Sequence, residues 1–203
     1  MQKENSLSKE CPLFPLNINV LPGGFLPLQI FETRYIDMVK DRLNNESGFC
    51  IVLLHPKTKI PSKKINPTHY LIGTFVEIVD FNKLENGLLG ITVKGQYRVE
   101  VLETWEKEDG LIIGNIIETG EEDESVSLEP KYENIWSTLK QICEHPEIKK
   151  LNLEIDFGCS TSVIYNLASL LPLTAPERQM ILESKSNIAR LNNLNQIVKK
   201  LGG

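Results

Sequence analysis

Three shortages narrow this 203-residue sequence before any motif is read. Cysteine is scarce: Cys11, Cys50, Cys143 and Cys159 form no close pair and no C-x-x-C, which speaks against a zinc knuckle or a redox dithiol and fits a reducing cytoplasm. Long apolar runs are missing, since none approaches the roughly 20 residues that cross a bilayer. The polar stretch from Met1 to Glu10 also lacks the apolar segment of a secretory signal. The expectation is a soluble, cytoplasmic protein with no membrane partner. Basic charge is short as well, with 22 Lys and Arg against 27 Asp and Glu and a formal charge of -5. Binding a nucleic acid then requires a local basic patch strong enough to overcome that field. The one lysine cluster, Lys57, Lys59, Lys63 and Lys64, reads as a solvated loop, so no nucleic-acid partner is expected.

What remains is an ordinary globular mixture, 41% apolar and 24% charged. A chain this long buries roughly 70% of the surface its unfolded form exposes, and so folds without metal or disulfide. Its character changes near the middle. From Cys11 to about Ile117, apolar residues come in short runs punctuated by Gly, Pro and Asn, the pattern of strands and turns. Phe49 to Leu54 reads as a strand buried on both faces, stopped by His55-Pro56. Gly73 to Val79, Leu88 to Val93, Tyr97 to Leu102 and Leu111 to Ile117 read as four more, with turns at Asn86-Gly87 and Gly95-Gln96. The expectation is an antiparallel meander curled into a barrel. One helix interrupts it, with Phe31, Tyr35, Met38, Val39 and Leu43 on its inner face.

Glu118 to Glu129 is acidic and solvated, and marks the boundary. Beyond it, Ile135, Trp136, Leu139, Ile142 and Cys143 form a helical stripe that His145-Pro146 ends. Ser160 to Leu171 forms a second helix, and Thr174-Ala175-Pro176-Glu177 has the spacing of a capping box that opens a third. Ile188, Leu191, Leu194, Val198 and Leu201 make a fourth. The expected division is therefore a flexible tail over residues 1–10, a β-rich part over 11–119, and an acidic linker with a helical bundle over 120–203.

Motifs that would carry chemistry fail on their missing partners. Gly90 to Gly95 has two glycines of a phosphate loop, but Gln96-Tyr97 follow where Lys and Ser or Thr should stand. Asp156-Phe157-Gly158 copies a kinase triplet without the rest of a kinase, and reads as a loop leading into a helix capped by Ser160 or Thr161. Cys143 and His145 suggest a thiolate pair, yet Cys143 lies on the apolar stripe. Glu121 to Glu124 lacks the alternating ligands and turning glycine of a calcium loop. No catalytic residue, metal or cofactor is expected.

The hydrophobic punctuation near the start is what distinguishes this chain. Pro12-Leu13-Phe14-Pro15-Leu16, Leu21-Pro22-Gly23-Gly24, Leu26-Pro27-Leu28, Ile30-Phe31-Glu32 with Arg34-Tyr35, Gly73-Thr74, Gly95 with Arg98, Leu170-Leu171-Pro172-Leu173 and Gln179 through Glu183 follow in order. Together they resemble the amino-terminal substrate-binding domain of Lon ATP-dependent proteases, in its stand-alone bacterial version, over about residues 11–201. Thr33 and Gln29 depart from the residues many relatives carry. The resemblance implies an α+β fold: an N-terminal PUA-like β pseudo-barrel with one helix, then a C-terminal helical bundle. It also implies polypeptide recognition without the ATPase and Ser-Lys peptidase modules, since no Walker motif is present and too few residues remain for either.

The expected activity is therefore a non-catalytic module that holds unfolded or hydrophobic polypeptide, or docks a partner protein. Prolines that withhold an N–H belong on edge strands, and an edge accepts an extended peptide. Pro22, Gly23, Gly24 and Phe25 are the candidate contact surface: a turn with exposed backbone beside an apolar ring, although burial of Phe25 in the core is the plainer reading. The rival from another class is an enzyme or small-molecule receptor with a pocket between the two parts, lined by Arg34, Glu77, Tyr97 and Arg98. Partner identity and oligomeric state are not legible in the sequence.

Overall fold

The structure, a computed structural model, describes residues 8–55, 69–120 and 130–202. Lys57, Lys59, Lys63, Lys64 and the acidic run from Glu121 to Glu129 lie outside the described residues. The fold is α+β, as expected. It divides into two compact units, Met1–Thr119 and Gly120–Gly203.

Among its described residues, the first unit holds six strands and one helix: β1 (Lys9–Leu16), β2 (Phe25–Ile30), α1 (Thr33–Asn44), β3 (Phe49–Leu53), β4 (Ile72–Lys83), β5 (Leu89–Glu106) and β6 (Ile112–Glu118). Strand order is β2-β5-β4-β3-β1-β6, and β6 pairs again with β5. Five strands thus form a closed ring and β2 hangs on its outside edge, a pseudo-barrel. Closure depends on the length of β5, whose first half serves β2 and β4 and whose second half serves β6.

Two sequence expectations are corrected here. The sheet is not a pure antiparallel meander, because β1 runs parallel to β3, with Leu13 opposite Cys50 and Leu16 opposite Leu53. The chain between them holds β2 and α1, the kind of crossover a parallel pair requires. Gly95-Gln96 is not a turn but the middle of β5. Val76 faces Gly95 and Phe75 faces Tyr97, so Gln96 is the extra residue of a bulge. The glycine is needed for close approach: a Cβ on Gly95 would lie 2.3 Å from the Leu21 carbonyl oxygen.

β3 is apolar throughout because it separates two cores. Phe49 and Ile51 join Phe14, Ile30, Tyr35, Met38, Val39, Val76, Ile91 and Val93, against which α1 packs. Cys50 and Val52 join Cys11, Leu13, Phe75, Val99, Val101 and Ile116. Lys9 closes this second cluster, its ammonium 4.2 Å from the Phe75 ring centre and donating to the Tyr97 hydroxyl at 2.8 Å, while the two rings stack at 4.9 Å. In α1, Tyr35, Met38 and Val39 are buried as their spacing predicts. Phe31 lies before the helix and is 68% exposed, against expectation.

The second unit contains α2 (Glu133–Glu144), α3 (Pro146–Lys149), α4 (Ser160–Leu170), α5 (Ala175–Glu183) and α6 (Asn187–Gly202). The capping box of α5 is present, with the Thr174 hydroxyl accepting from the Glu177 N–H and the Glu177 carboxylate accepting from the Thr174 N–H. α4 is not capped by Ser160 or Thr161; Cys159 holds the cap position without a side-chain bond. The buried face of α6 is also rotated from the expected stripe. Ile188 and Leu201 are exposed, while Asn187 and Arg190 are buried beside Leu191, Leu194 and Ile197. Polar bonds offset that burial: Arg190 donates to Asn187 at 2.8 Å and lies over the Tyr165 ring, and Asn187 donates to Thr161 at 2.8 Å. Among the described residues, no helix is long and apolar enough to cross a membrane.

Two outcomes follow for stability. Gly95→Ala forces the bulge away from Leu21 and should cost roughly 1–3 kcal/mol, as overpacking does, read from urea midpoints. His69, buried where it bridges to Leu54 and bonded to the Tyr70 carbonyl through Nδ1, is held below its ordinary pKa of 6.5, chiefly by burial. The fold therefore prefers neutral His69, so its contribution is intact above pH 6.5 and is lost as pH falls from there. Midpoints at about pH 7.5 and 5.5 should differ, and His69→Asn, which retains a donor toward Tyr70, should remove much of the difference.

Candidate functional site

The residues expected to form the contact surface build a tight type II turn. Pro22 sets φ at its first central position and Gly23, at φ 78°, occupies the second, where a side chain would be strained. Gly24 N–H closes the turn on the Leu21 carbonyl at 2.9 Å. The turn is then pinned to β5 and β4. Gly23 donates to the Gly95 carbonyl at 2.8 Å, the Gly95 N–H returns to the Gly24 carbonyl at 2.9 Å, and the Thr74 hydroxyl donates to the Val20 carbonyl at 2.7 Å. The main chain of this turn is thus largely engaged within the fold. Phe25 is not in the core: it is 48% exposed, with the Lys94 ammonium 5.7 Å from its ring centre.

Beyond the turn, the register shows which way each main-chain group points. Because Gly24 and Gly95 share a bond, residues 26, 28 and 30 face β5, and residues 25, 27 and 29 turn their backbone away from it. Pro27, which has no N–H, occupies one of the outward positions. β1 repeats the arrangement. The Leu16 carbonyl accepts from Leu54 N–H, so Leu16 and Phe14 face β3 while Pro15 turns the other way. β6 pairs with β1 over Lys9–Pro12, leaving residues 13–16 with β3 as their paired strand. In this local sense the expectation that the prolines mark edges is met, although β1 as a whole lies inside the sheet order.

Between these two one-sided segments lies a cleft of about 400 Å³. Phe14 and Tyr35, stacked at 4.1 Å, are its buried floor with Ile30. Leu16, Leu28, Leu54 and Ile112 are its walls, and Gln29, Phe31, Glu32 and Arg34 surround the mouth. Arg34 Nη2 pairs with the Glu32 carboxylate at 2.5 Å, Nη1 donates to the Gly110 carbonyl at 2.8 Å, and the guanidinium lies 4.9 Å from the Tyr35 ring centre. Burial lowers the pKa of Arg34, but Tyr35, Glu32 and Glu106 outweigh it and hold the group above its ordinary value. Burial raises that of Tyr35, so the phenol stays neutral. The cleft is an apolar trough with a fixed ion pair at its rim.

Of the polar residues expected to line a pocket, Arg34 reaches this cleft, inside the first unit. Tyr97 is committed to Phe75 and Lys9, Arg98 donates to Thr119 at 2.9 Å, and Glu77 is exposed opposite Lys94. Sequence reading did not single out Phe14, Leu16, Leu28, Ile30 or Tyr35 as functional. The signal available was the proline spacing, which marks where main-chain donors are withheld. Among the described residues, no group of three or more His, Cys, Asp or Glu is placed to hold a metal ion. Burial pushes the Cys11 thiol up to about 12 and Cys50 well above its ordinary value, so neither is a nucleophile at neutral pH.

Comparison with known proteins places this architecture. The family model of the ATP-dependent protease La (LON) substrate-binding domain matches residues 10–200. The Lon protease of Bacillus thuringiensis (strain Al Hakam) is 27% identical over 98% of this chain, and that of Desulforamulus reducens is 27% identical over 97%. The chain spans about a quarter of the length of these relatives. A crystal structure of a Lon N-terminal domain protein from Xanthomonas campestris superposes with a TM-score of 0.71 at 28% identity, covering 92% of this chain and 96% of the other. The N-terminal domain of a Mycobacterium avium complex Lon protease shares the fold at a TM-score of 0.67 and 15% identity, covering 91% and 95%.

Thiol accessibility gives a direct check on the site chemistry. With iodoacetamide at neutral pH, the half-buried Cys159 should be alkylated well before Cys11 and Cys50, which should react only on unfolding, as read by peptide mass mapping.

Proposed function

This chain belongs to the ATP-dependent protease La (LON) substrate-binding domain family, and from that premise we propose that it is a non-catalytic module holding extended polypeptide in the cleft between β1 and β2. The observation that carries the reading is the pairing of an apolar trough with two strand segments, each laddered on one side. An extended chain laid there gains main-chain hydrogen bonds from the rims, which are indifferent to sequence. It also buries one or two apolar side chains on the floor, which are nearly so. Broad tolerance is what recognition of unfolded chains requires.

The absence of catalysis in this reading is supported by the buried, protonated cysteines and by the missing Walker motif. Phe25 contributes at most a secondary contact, because it is exposed at the far end of β2 and is not among the residues that line the cleft. Cytoplasmic location and the identity of the natural partner belong to the proposal as well.

The test is binding of reduced, carboxymethylated α-lactalbumin, followed by fluorescence anisotropy. Wild type should bind it and ignore the native form. Phe31→Ala, an exposed change at the mouth, should weaken binding by about 1 kcal/mol or more, and Gln29→Pro should weaken it by removing a rim donor. Phe25→Ala should matter less. If wild type captures no unfolded chain, or both cleft variants bind as wild type does, the proposal is wrong. Incubation with ATP and casein should leave both intact; hydrolysis of either overturns its non-catalytic part.

A further inference from the structure

We infer that the cleft selects, among extended segments, those that carry a Lys or Arg beside a bulky apolar residue. The inference rests on the polypeptide-holding reading above and adds a chemical preference to it. Its first support is the donor balance of the rims. Pro15 and Pro27 both stand where the backbone turns away from its own ladder, and each presents a carbonyl there with no N–H. An ordinary strand edge offers donors and acceptors equally. This one is acceptor-rich, so it favours an occupant with hydrogen-bond donors to spare.

The second support is charge. Glu32 and Arg34 stand at the mouth, and Arg34 ties it to the β5–β6 turn through the Gly110 carbonyl. The end of β5 and that turn carry Glu106, Lys107, Glu108 and Asp109, three carboxylates and one cation beside the Arg34–Glu32 pair. Arg34 and Glu32 compensate one another, and Arg34 Nη1 is held by the Gly110 carbonyl, so the negative charge left here is that of Glu106, Glu108 and Asp109 against Lys107. Glu106 crowds it as well: a Cβ placed on Gly110 would meet Arg34 Nη1 at 2.8 Å and Glu106 Oε1 at 3.4 Å. Asp109 is fixed by the Leu111 N–H at 2.9 Å. A third feature gives the cation a path. Phe31, 68% exposed at the mouth, offers a ring along which the aliphatic stem of Lys or Arg can lie while its head reaches the carboxylates.

The experiment uses the full chain and three short fluorescein-labelled peptides that share a Leu-Phe core and differ in flanking residues: Lys, Ser or Glu. At about 50 mM salt, anisotropy should rank them Lys, Ser, Glu, with the extremes roughly five- to tenfold apart in Kd, and about 500 mM salt should narrow the gap. Glu106→Gln and Glu108→Gln, both exposed positions, should shrink the ratio while leaving the Ser peptide bound as before. Equal affinities, a reversed order, or variants that keep the wild-type ratio overturn the inference while the Ser peptide's binding upholds the broader reading. If no peptide binds, the reading itself fails and the preference falls with it.

Discussion

The barrel of the first unit depends on one close contact, the Leu21 carbonyl seated against Gly95. β5 is 18 residues long and must serve three partners, so it has to change course between β2 and β6. The bulge at Gln96 supplies the bend, and the turn at Pro22 to Gly24 presses into it through the pair of backbone bonds to Gly95. Without a bare Cα at that point the turn cannot sit down, β2 loses its anchor, and the cleft loses one wall. The glycine serves the site although it touches nothing in it.

Much of this architecture was legible because burial writes itself into periodicity. β3 is apolar at every position since it has a core on each face, and the Tyr35, Met38, Val39 spacing gave the inner side of α1. Thr174 and Glu177 announced their helix through a purely local bond pattern. What stayed hidden were non-local facts. The parallel pairing of β1 with β3 leaves no local trace, and Gly95 reads as a turn because a glycine required by a distant carbonyl looks like a glycine required by its own φ. The face of α6 was misjudged for a related reason: Asn187 and Arg190 are buried through partners on other helices, which apolarity alone does not reveal.

The site divides in the same way. The stretch from Pro12 to Tyr35 drew notice for its prolines, and those prolines do lie at one-sided ladder positions. Attention went to the Pro-Gly-Gly turn because its chemistry is conspicuous in one dimension. The cleft needed three dimensions: Phe14 and Tyr35 are 21 positions apart in the chain, yet their stacked rings make its floor, and Leu54 and Ile112 come from further still. Arg34 was noticed as a polar residue near a pocket, but its partners, Glu32 beside it and the carbonyl of Gly110, could not both be read from spacing.

The register of β1 has a consequence for biosynthesis. Lys9 pairs with Ile116, so the first strand to leave the ribosome waits for the last strand of its own barrel. At about 5–20 residues per second that interval is roughly 5–20 s, during which Leu13 and Phe14 have no finished core to enter. A nascent chain of this design passes through a phase when it displays the same greasy, extended character that its mature cleft is shaped to hold.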